Sequence, residues 1–498
     1  MNREKTAPMA RLSPYRRGHF APVREEVTAF DLPVTGIIPE DLDGRYLRNG
    51  PNPLGVEHPR FHYYLGAGMI HGVRISGGRA EWYRNRWVRQ APVSRALREP
   101  RRTYRVFGGM DAASNINVIG HAGRTLSLTE GGTLPFELTD ELDTAGPCDF
   151  EGDLHGAMSA HPKVDPVTGD LHSLGYFAGS STVDYTVVAA TGAVVHSESI
   201  ELPHATMMHD FALTPSYLVL MDLPVTFHAL SAVAGDPFPF RWNPRAVARL
   251  GLLRRGSSEA EPKWFEIEPV WVYHTVNAYD TPSGIVLDVV THPSMFRGRT
   301  GEISGHGTPS LERFTIDTRT GRVRREILDD RPQEFPRVDD RVLGRPHRFV
   351  YTASAAAFVD TWRPRELDTI ADAEFDNVLF RHDLLGGRTQ RRSFPRDAAI
   401  GEAVFVARRG GTGAEDDGYV LSYVHEPGRG ASDLVILSAA DFEGDELARV
   451  HLPARVPLGL HGNWIPVEER AAAALSDGGA TAVDAHDVAT PPVPETGP

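Results

Sequence analysis

The sequence predicts an all-β protein, a barrel or a propeller, on three observations. Glycine and proline number 48 and 38 of 498 residues, a load that means many turns between short strands rather than long helices. One local theme recurs along the body: a β-rich run, a Gly/Asp turn, then a second β-rich run. Nowhere do strand patterns alternate with helical ones, as a parallel sheet with crossover helices would require.

The elements follow in order. Hairpin patterns cover 71–85 (HGVRISGGRAEWYRN) and 117–130 (NVIGHAGRTLSLTE). In 159–177, Asp165-Pro166 and Thr168-Gly169 supply turn chemistry, in which proline presets φ, aspartate bonds its own backbone and glycine accepts positive φ. The same chemistry returns at Asp317 and Thr320-Gly321 within 313–328, and a further hairpin pattern spans 433–452. Helical periodicity is local, at 244–255 (PRAVARLGLLRR) and 365–375, and reads as insertions over the β scaffold. The repeats differ too much to give a period, so the pattern does not fix a blade number.

Composition excludes several function classes. A net charge of −14 argues against a nucleic-acid partner, and the basic clusters at 98–105 and 241–255 are short, as solvated surface segments are. The single cysteine, Cys148, rules out an internal disulfide and any multi-thiolate metal site. The N-terminal stretch has no apolar leader, and no run is long enough to span a bilayer. A cytoplasmic location is the default expectation, with attachment to a membrane surface left open.

The common catalytic signatures are missing: no HExxH, no GxSxG, no P-loop and no dinucleotide fingerprint. The one H-x-E pair, His196-Ser197-Glu198, lies in an alternating run that reads as surface strand. Of 21 histidines, four stand in distinctive settings: His161 before a tight turn, His209 in MMHDF, His274 in YHTVNAYD and His461 in LHGNW. They are separated by 48, 65 and 187 residues, so each comes from a different part of the scaffold. Spacing alone favours the ordinary reading of each as a satisfied structural histidine.

Together with LPVTGIIPEDLDGRYLRNGPNPLG from Leu32, GMIHG, YRNRWVR, LTEGGTLPFELTDELDTAGPCDF, AHPKVDPVTGD, QEFPRVD, PHRFVYT and EDDGYVLSYV, these segments resemble, in order, the carotenoid cleavage dioxygenase family. The likeness covers nearly the whole body and is greatest to actinobacterial carotenoid-cleaving members. It implies a seven-bladed β-propeller with one Fe(II) on the axis and a cap of loops and helices over one face. Residues 19–467 would then form one propeller domain with cap insertions, between a polar arm at 1–18 and a disordered tail at 468–498. The resemblance makes His161, His209, His274 and His461 the iron ligands and places Glu130, Glu334 and Glu402 behind them. A glutamate accepting the imidazole N–H would fix the tautomer and aim the other nitrogen at the metal. Relatives commonly carry an aspartate where this chain reads Gly66-Ala67-Gly68-Met69, a departure that touches none of these seven positions.

Four neutral imidazoles would leave the iron its full charge and two coordination positions for O₂ and water or substrate. The implied reaction is cleavage of a C=C bond in a carotenoid or apocarotenoid to aldehyde or ketone products. A tunnel for the polyene is expected from Phe61, Tyr63, Tyr64, Phe107, Phe177, Phe335, Phe349 and Trp464. Stilbene-cleaving relatives carry a lysine immediately before the first glutamate, where this chain has Thr129, so a phenolate would lack its cation. Stilbene cleavage is the main alternative; a retinoid-isomerase-like activity and a non-enzymatic propeller rank lower. A water-insoluble substrate also implies an apolar mouth near 230–253 acting as a reversible membrane contact. Oligomeric state is not encoded in any pattern found.

Overall fold

The computed structural model describes residues 18–54, 63–100, 114–236, 238–256, 261–297, 307–354 and 377–467. The hairpins assemble into seven antiparallel sheets, the blades of a β-propeller. Five four-stranded blades follow in chain order, beginning at Asn117–His121, Lys163–Val164, Ala212–Leu213, Trp271–Thr281 and Gln333–Arg337. The third is interrupted by a two-stranded ribbon, Val225–Phe227 paired with Phe240–Trp242.

The sixth and seventh blades combine the two ends of the chain. Val34–Gly36 adds to the edge of the sixth beside Ala448–His451. In the seventh, Gly462–Pro466 pairs with Gly44–Pro51, in a register that sets Tyr46 opposite Trp464. Backbone hydrogen bonds between the termini thus close the ring. First strands of neighbouring blades touch one another around the axis, Ala212–Leu213 with Trp271–Thr281 and Gly462–Pro466 with Asn117–His121 among them.

Burial explains why the strand period is weak in the sequence. Gly284–His292 (GIVLDVVTH) is buried along its whole length, because a central strand of a blade is covered on both faces. Val323–Asp329, at a blade edge, is mostly exposed. The largest core cluster joins the second, third and fourth blades, with Phe211, Trp271, Phe296 and Phe314 almost completely buried.

The helix expected over 244–255 is instead the strand Arg249–Arg254, held between Tyr217–Asp222 and Lys263–Glu266. Its Leu-Gly-Leu-Leu core is buried, and a short apolar run covered on both faces gives no period that separates strand from helix. A Cβ on Gly251 would lie 2.6 Å from the Trp264 ring, so the strand crossing admits only glycine there. The cluster at 241–255 is not the solvated segment expected: Leu250–Leu253 are buried, and Arg241, Arg249 and Arg255 are half-buried in pairs with Asp236, Asp222 and Asp165. The expected helix at 365–375 and tail at 468–498 lie outside the described residues, as does the arm at 1–18 apart from Gly18. Among the described residues, no helix is long and apolar enough to cross a membrane.

Candidate metal centre

The turns and bulges at the axial ends of the blades bring seven predicted residues to one place, one from each blade. His161 lies two residues before Lys163–Val164, His209 three before Ala212–Leu213, and His461 immediately before Gly462–Pro466. His274 sits within Trp271–Thr281, where the register with Gly284–His292 shifts on both sides of Thr275. Glu130 follows Arg124–Leu128 in the first blade, Glu334 lies in Gln333–Arg337 in the fifth, and Glu402 lies between Ala399–Ile400 and Val404–Ala407 in the sixth.

The His161 ring centroid lies 4.5, 5.0 and 4.7 Å from those of His209, His274 and His461. His274 is 5.4 Å from His209 and 4.6 Å from His461. Donor atoms of His161, His274 and His461 all lie within 4.8 Å of one another. The Nε2 atoms of His161 and His209 are 3.1 Å apart. Two nitrogens at neighbouring corners of one ion, with bonds of about 2.1 Å, lie about 3 Å apart, so this spacing suits a shared cation. Nε2 of His274 is buried with no hydrogen-bond partner, a cost that a cation accepting its lone pair removes. The cluster is able to bind a metal ion.

Behind three of the rings stands a glutamate. His274 Nδ1 is 2.6 Å from Glu334 Oε2, His461 Nδ1 is 3.1 Å from Glu402 Oε1, and His209 Nδ1 is 3.3 Å from Glu130 Oε2. Burial alone would raise the Glu334 and Glu402 carboxyls. The His274 and His292 rings override it and hold Glu334 well below the carboxylate range. Arg337 and His461 hold Glu402 at about 2. Burial pushes Glu130 up to about 8, although Tyr176 donates to its Oε1 at 2.8 Å. Burial lowers the His161 and His209 imidazoles, whereas Glu334 outweighs burial at His274 and raises it. A metal requires neutral imidazoles whose second nitrogen is held by an acceptor, which Glu334 and Glu402 supply at His274 and His461.

Sequence reasoning missed His292, whose Nε2 lies 2.9 Å from Glu334 Oε1, so one carboxylate orients two histidines. It also missed the strain at Phe335, which has a φ of 53°. That conformation disfavours a bulky side chain and marks a constrained site. It turns the ring onto His274 at 5.5 Å and His461 at 5.2 Å.

The imidazoles of His209, His274 and His461 face a cavity of about 340 Å³, within the range of small-molecule sites. Of the expected tunnel residues, Tyr64 and Phe335 line it. Four others do not. Tyr63 is packed against Phe20 in the core beside it. Phe349 sits in a blade core with the Arg348 and Arg381 guanidiniums over its ring. Trp464 packs against Gly44 between strands, and Phe177 lies outside the lining. Phe61 and Phe107 lie outside the described residues. Much of the wall comes from residues not foreseen, notably Ile116, Met207, Phe238, Phe240, Tyr273 and Leu460. Among the described residues the lining contains Thr129 but no lysine or arginine.

A propeller with four histidines and three glutamates on its axis defines a class, and comparison with known proteins agrees. The family model described as retinal pigment epithelial membrane protein matches residues 20–466. A carotenoid cleavage oxygenase of Mycobacterium tuberculosis is 43% identical, covering 91% of this chain and 98% of its own length. Among solved structures, Pseudomonas brassicacearum lignostilbene dioxygenase superposes with a TM-score of 0.80 at 26% identity, covering 91% of this chain and 99% of that one. A Synechocystis apocarotenoid oxygenase variant gives 0.77 at 28%, covering 91% and 99%. The chain belongs to the retinal pigment epithelial membrane protein and carotenoid cleavage oxygenase family. It is an enzyme of that family.

Proposed function

We propose that the chain is an iron(II)-dependent dioxygenase that cleaves a C=C bond of a carotenoid or apocarotenoid, each carbon leaving with one oxygen of O₂ as an aldehyde or ketone. The observation that carries this reading is the cluster of four imidazoles, three of which (His209, His274 and His461) line a largely apolar cavity that, among the described residues, has no lysine or arginine in its wall. His161, His209, His274 and His461 would hold the ion, and Glu130, Glu334 and Glu402 would keep three of the Nδ1 protons turned away from it. Ferrous iron would supply the activation of O₂, which no amino-acid side chain provides.

The remaining tasks belong to the cavity wall. Tyr64, Phe335 and Leu460 exclude bulk water and hold a planar conjugated chain against the metal-facing floor. Similarity to the Mycobacterium tuberculosis carotenoid cleavage oxygenase favours the polyene substrate. The lignostilbene dioxygenase likeness favours a stilbene as the second reading, against which stands Thr129 in place of a cation. Incubation of the iron-loaded enzyme under O₂ with β-carotene, an apocarotenal and resveratrol discriminates them. Carbonyl fragments from the polyenes are expected. Fragments only from resveratrol would favour the stilbene reading, and isomerised apocarotenal without oxygen incorporation would overturn both.

Membrane contact fits the ribbon beside the cavity. Between its strands runs the short helix Ala229–Val233, with Leu230 and Val233 76% and 87% exposed, while Phe238 and Phe240 line the cavity. The contact is narrower than 230–253, because Leu250–Leu253 are buried in a blade. The parent protein should co-sediment with phosphatidylcholine vesicles and a Leu230→Asp/Val233→Asp variant should not. Equal sedimentation of both would count against this helix.

A further inference from the structure

Beneath the imidazoles one carboxylate joins three of the four histidine-bearing segments. Asp210, the residue after His209, has a side chain 1% exposed. Its Oδ2 accepts from the Thr275 backbone N–H at 2.8 Å and from the Thr275 hydroxyl at 2.9 Å. Its Oδ1 accepts from the Phe211 N–H at 2.7 Å and lies 2.8 Å from Lys163 Nζ. Thr275 follows His274, and Lys163 is two residues after His161. Four donors occupy the acceptor sites of one carboxylate, and three of the four come from the segments of His161 and His274.

The strand geometry gives this arrangement a purpose. The ladder between Trp271–Thr281 and Gly284–His292 loses register on either side of Thr275, so sheet pairing alone does not fix the backbone at His274. The strand after His161 is only two residues long, and the strand after His209 is also two. Three short or irregular segments are therefore tied at a common charged point one or two residues from their imidazoles. His461 is held separately: its N–H donates to the Ile116 carbonyl, its carbonyl accepts from Asn49, and Glu402 bonds both its ring and the Gly462 N–H.

We propose that Asp210 is a positioning residue that sets the mutual spacing of the His161, His209 and His274 imidazoles, so that the metal is met by a pre-formed set of donors. The proposal rests on the four-histidine metal reading. Such support differs from a glutamate on a single ring, because one group governs the distances among three. A buried ion pair that served stability alone would leave metal binding unchanged when replaced by neutral residues of similar volume.

The test is Co(II) titration of the chelator-treated protein, followed by equilibrium affinity and the visible d–d absorption of the bound ion. The variants are Asp210→Asn and the double variant Asp210→Asn/Lys163→Met, which removes both charges and so relieves the unpaired lysine. Thermal unfolding is recorded for each. Positioning predicts that the double variant recovers thermal stability relative to Asp210→Asn while both bind Co(II) about 10- to 100-fold more weakly than the parent, with an altered spectrum. Parent-like affinity and spectrum in the folded double variant would overturn the proposal. Failure of the parent itself to bind Co(II) would overturn the metal reading and this proposal with it.

Discussion

Thr129 lines the cavity beside Glu130, and its hydroxyl donates to Asn115 Oδ1 at 3.2 Å. Asn115 in turn donates to the carbonyls of Tyr64 and Gly66 at 2.8 and 2.7 Å, so this contact steadies the loop that carries Tyr64 into the wall. A lysine at 129 would place an ammonium in a chamber whose described lining has no lysine or arginine. Thr129→Lys should therefore raise the ratio of 4-hydroxystilbene to apocarotenal cleavage, measured as kcat/KM, by about 10-fold or more, the size of one charge-assisted hydrogen bond. An unchanged ratio would remove residue 129 from substrate choice. At this scale, the four histidines and three glutamates were legible because their flanking motifs match a family. The cavity aromatics were not. An aromatic in a blade core, such as Phe349, and one lining the cavity, such as Phe335, are both buried in strands, and the register shift after Glu334 that sets the second apart leaves no local sequence pattern.

Within the fourth blade, Asp288 and Arg313 face each other across neighbouring strands and form a two-point pair at 2.7 Å, with His347 3.3 Å from the same carboxylate. Burial raises the Asp288 carboxyl, but Arg313 and His347 more than offset it and hold its pKa below the ordinary value. A carboxylate whose pKa is lowered on folding stabilises the fold above the ordinary carboxylate range, and that contribution is lost as pH falls through the folded-state value. Asp288→Asn should cost about 3–5 kcal/mol at pH 7, as breaking a buried pair does. The gap from the parent should narrow steadily in urea unfolding below pH 4. A gap independent of pH would mean that packing, not charge, accounts for the loss. Element identity was partly legible: the hairpin turns fell where expected, with Gly169 and Gly321 at φ of 75°. The strand Arg249–Arg254 was read as helix because four consecutive buried residues carry no alternation.

Over the whole molecule, the ring closes where Gly44–Pro51 pairs with Gly462–Pro466, more than 400 residues apart, and His461 enters the centre at that seam. Neither the closure nor the blade count was legible in strand patterns, because pairing partners so distant leave no local trace; the count came from family likeness. The seven-fold scaffold and the seven axial residues correspond one to one, a histidine or a glutamate from each blade. That correspondence makes the candidate metal centre a property of the complete ring, and its occupancy is open to one direct measurement. X-ray absorption at the iron edge of the purified protein, with metal content determined on the same sample, should give one iron per chain bonded to four imidazole nitrogens. Iron held by fewer histidines, bonded to carboxylate oxygens of the protein, or not held at all after reconstitution would contradict the account.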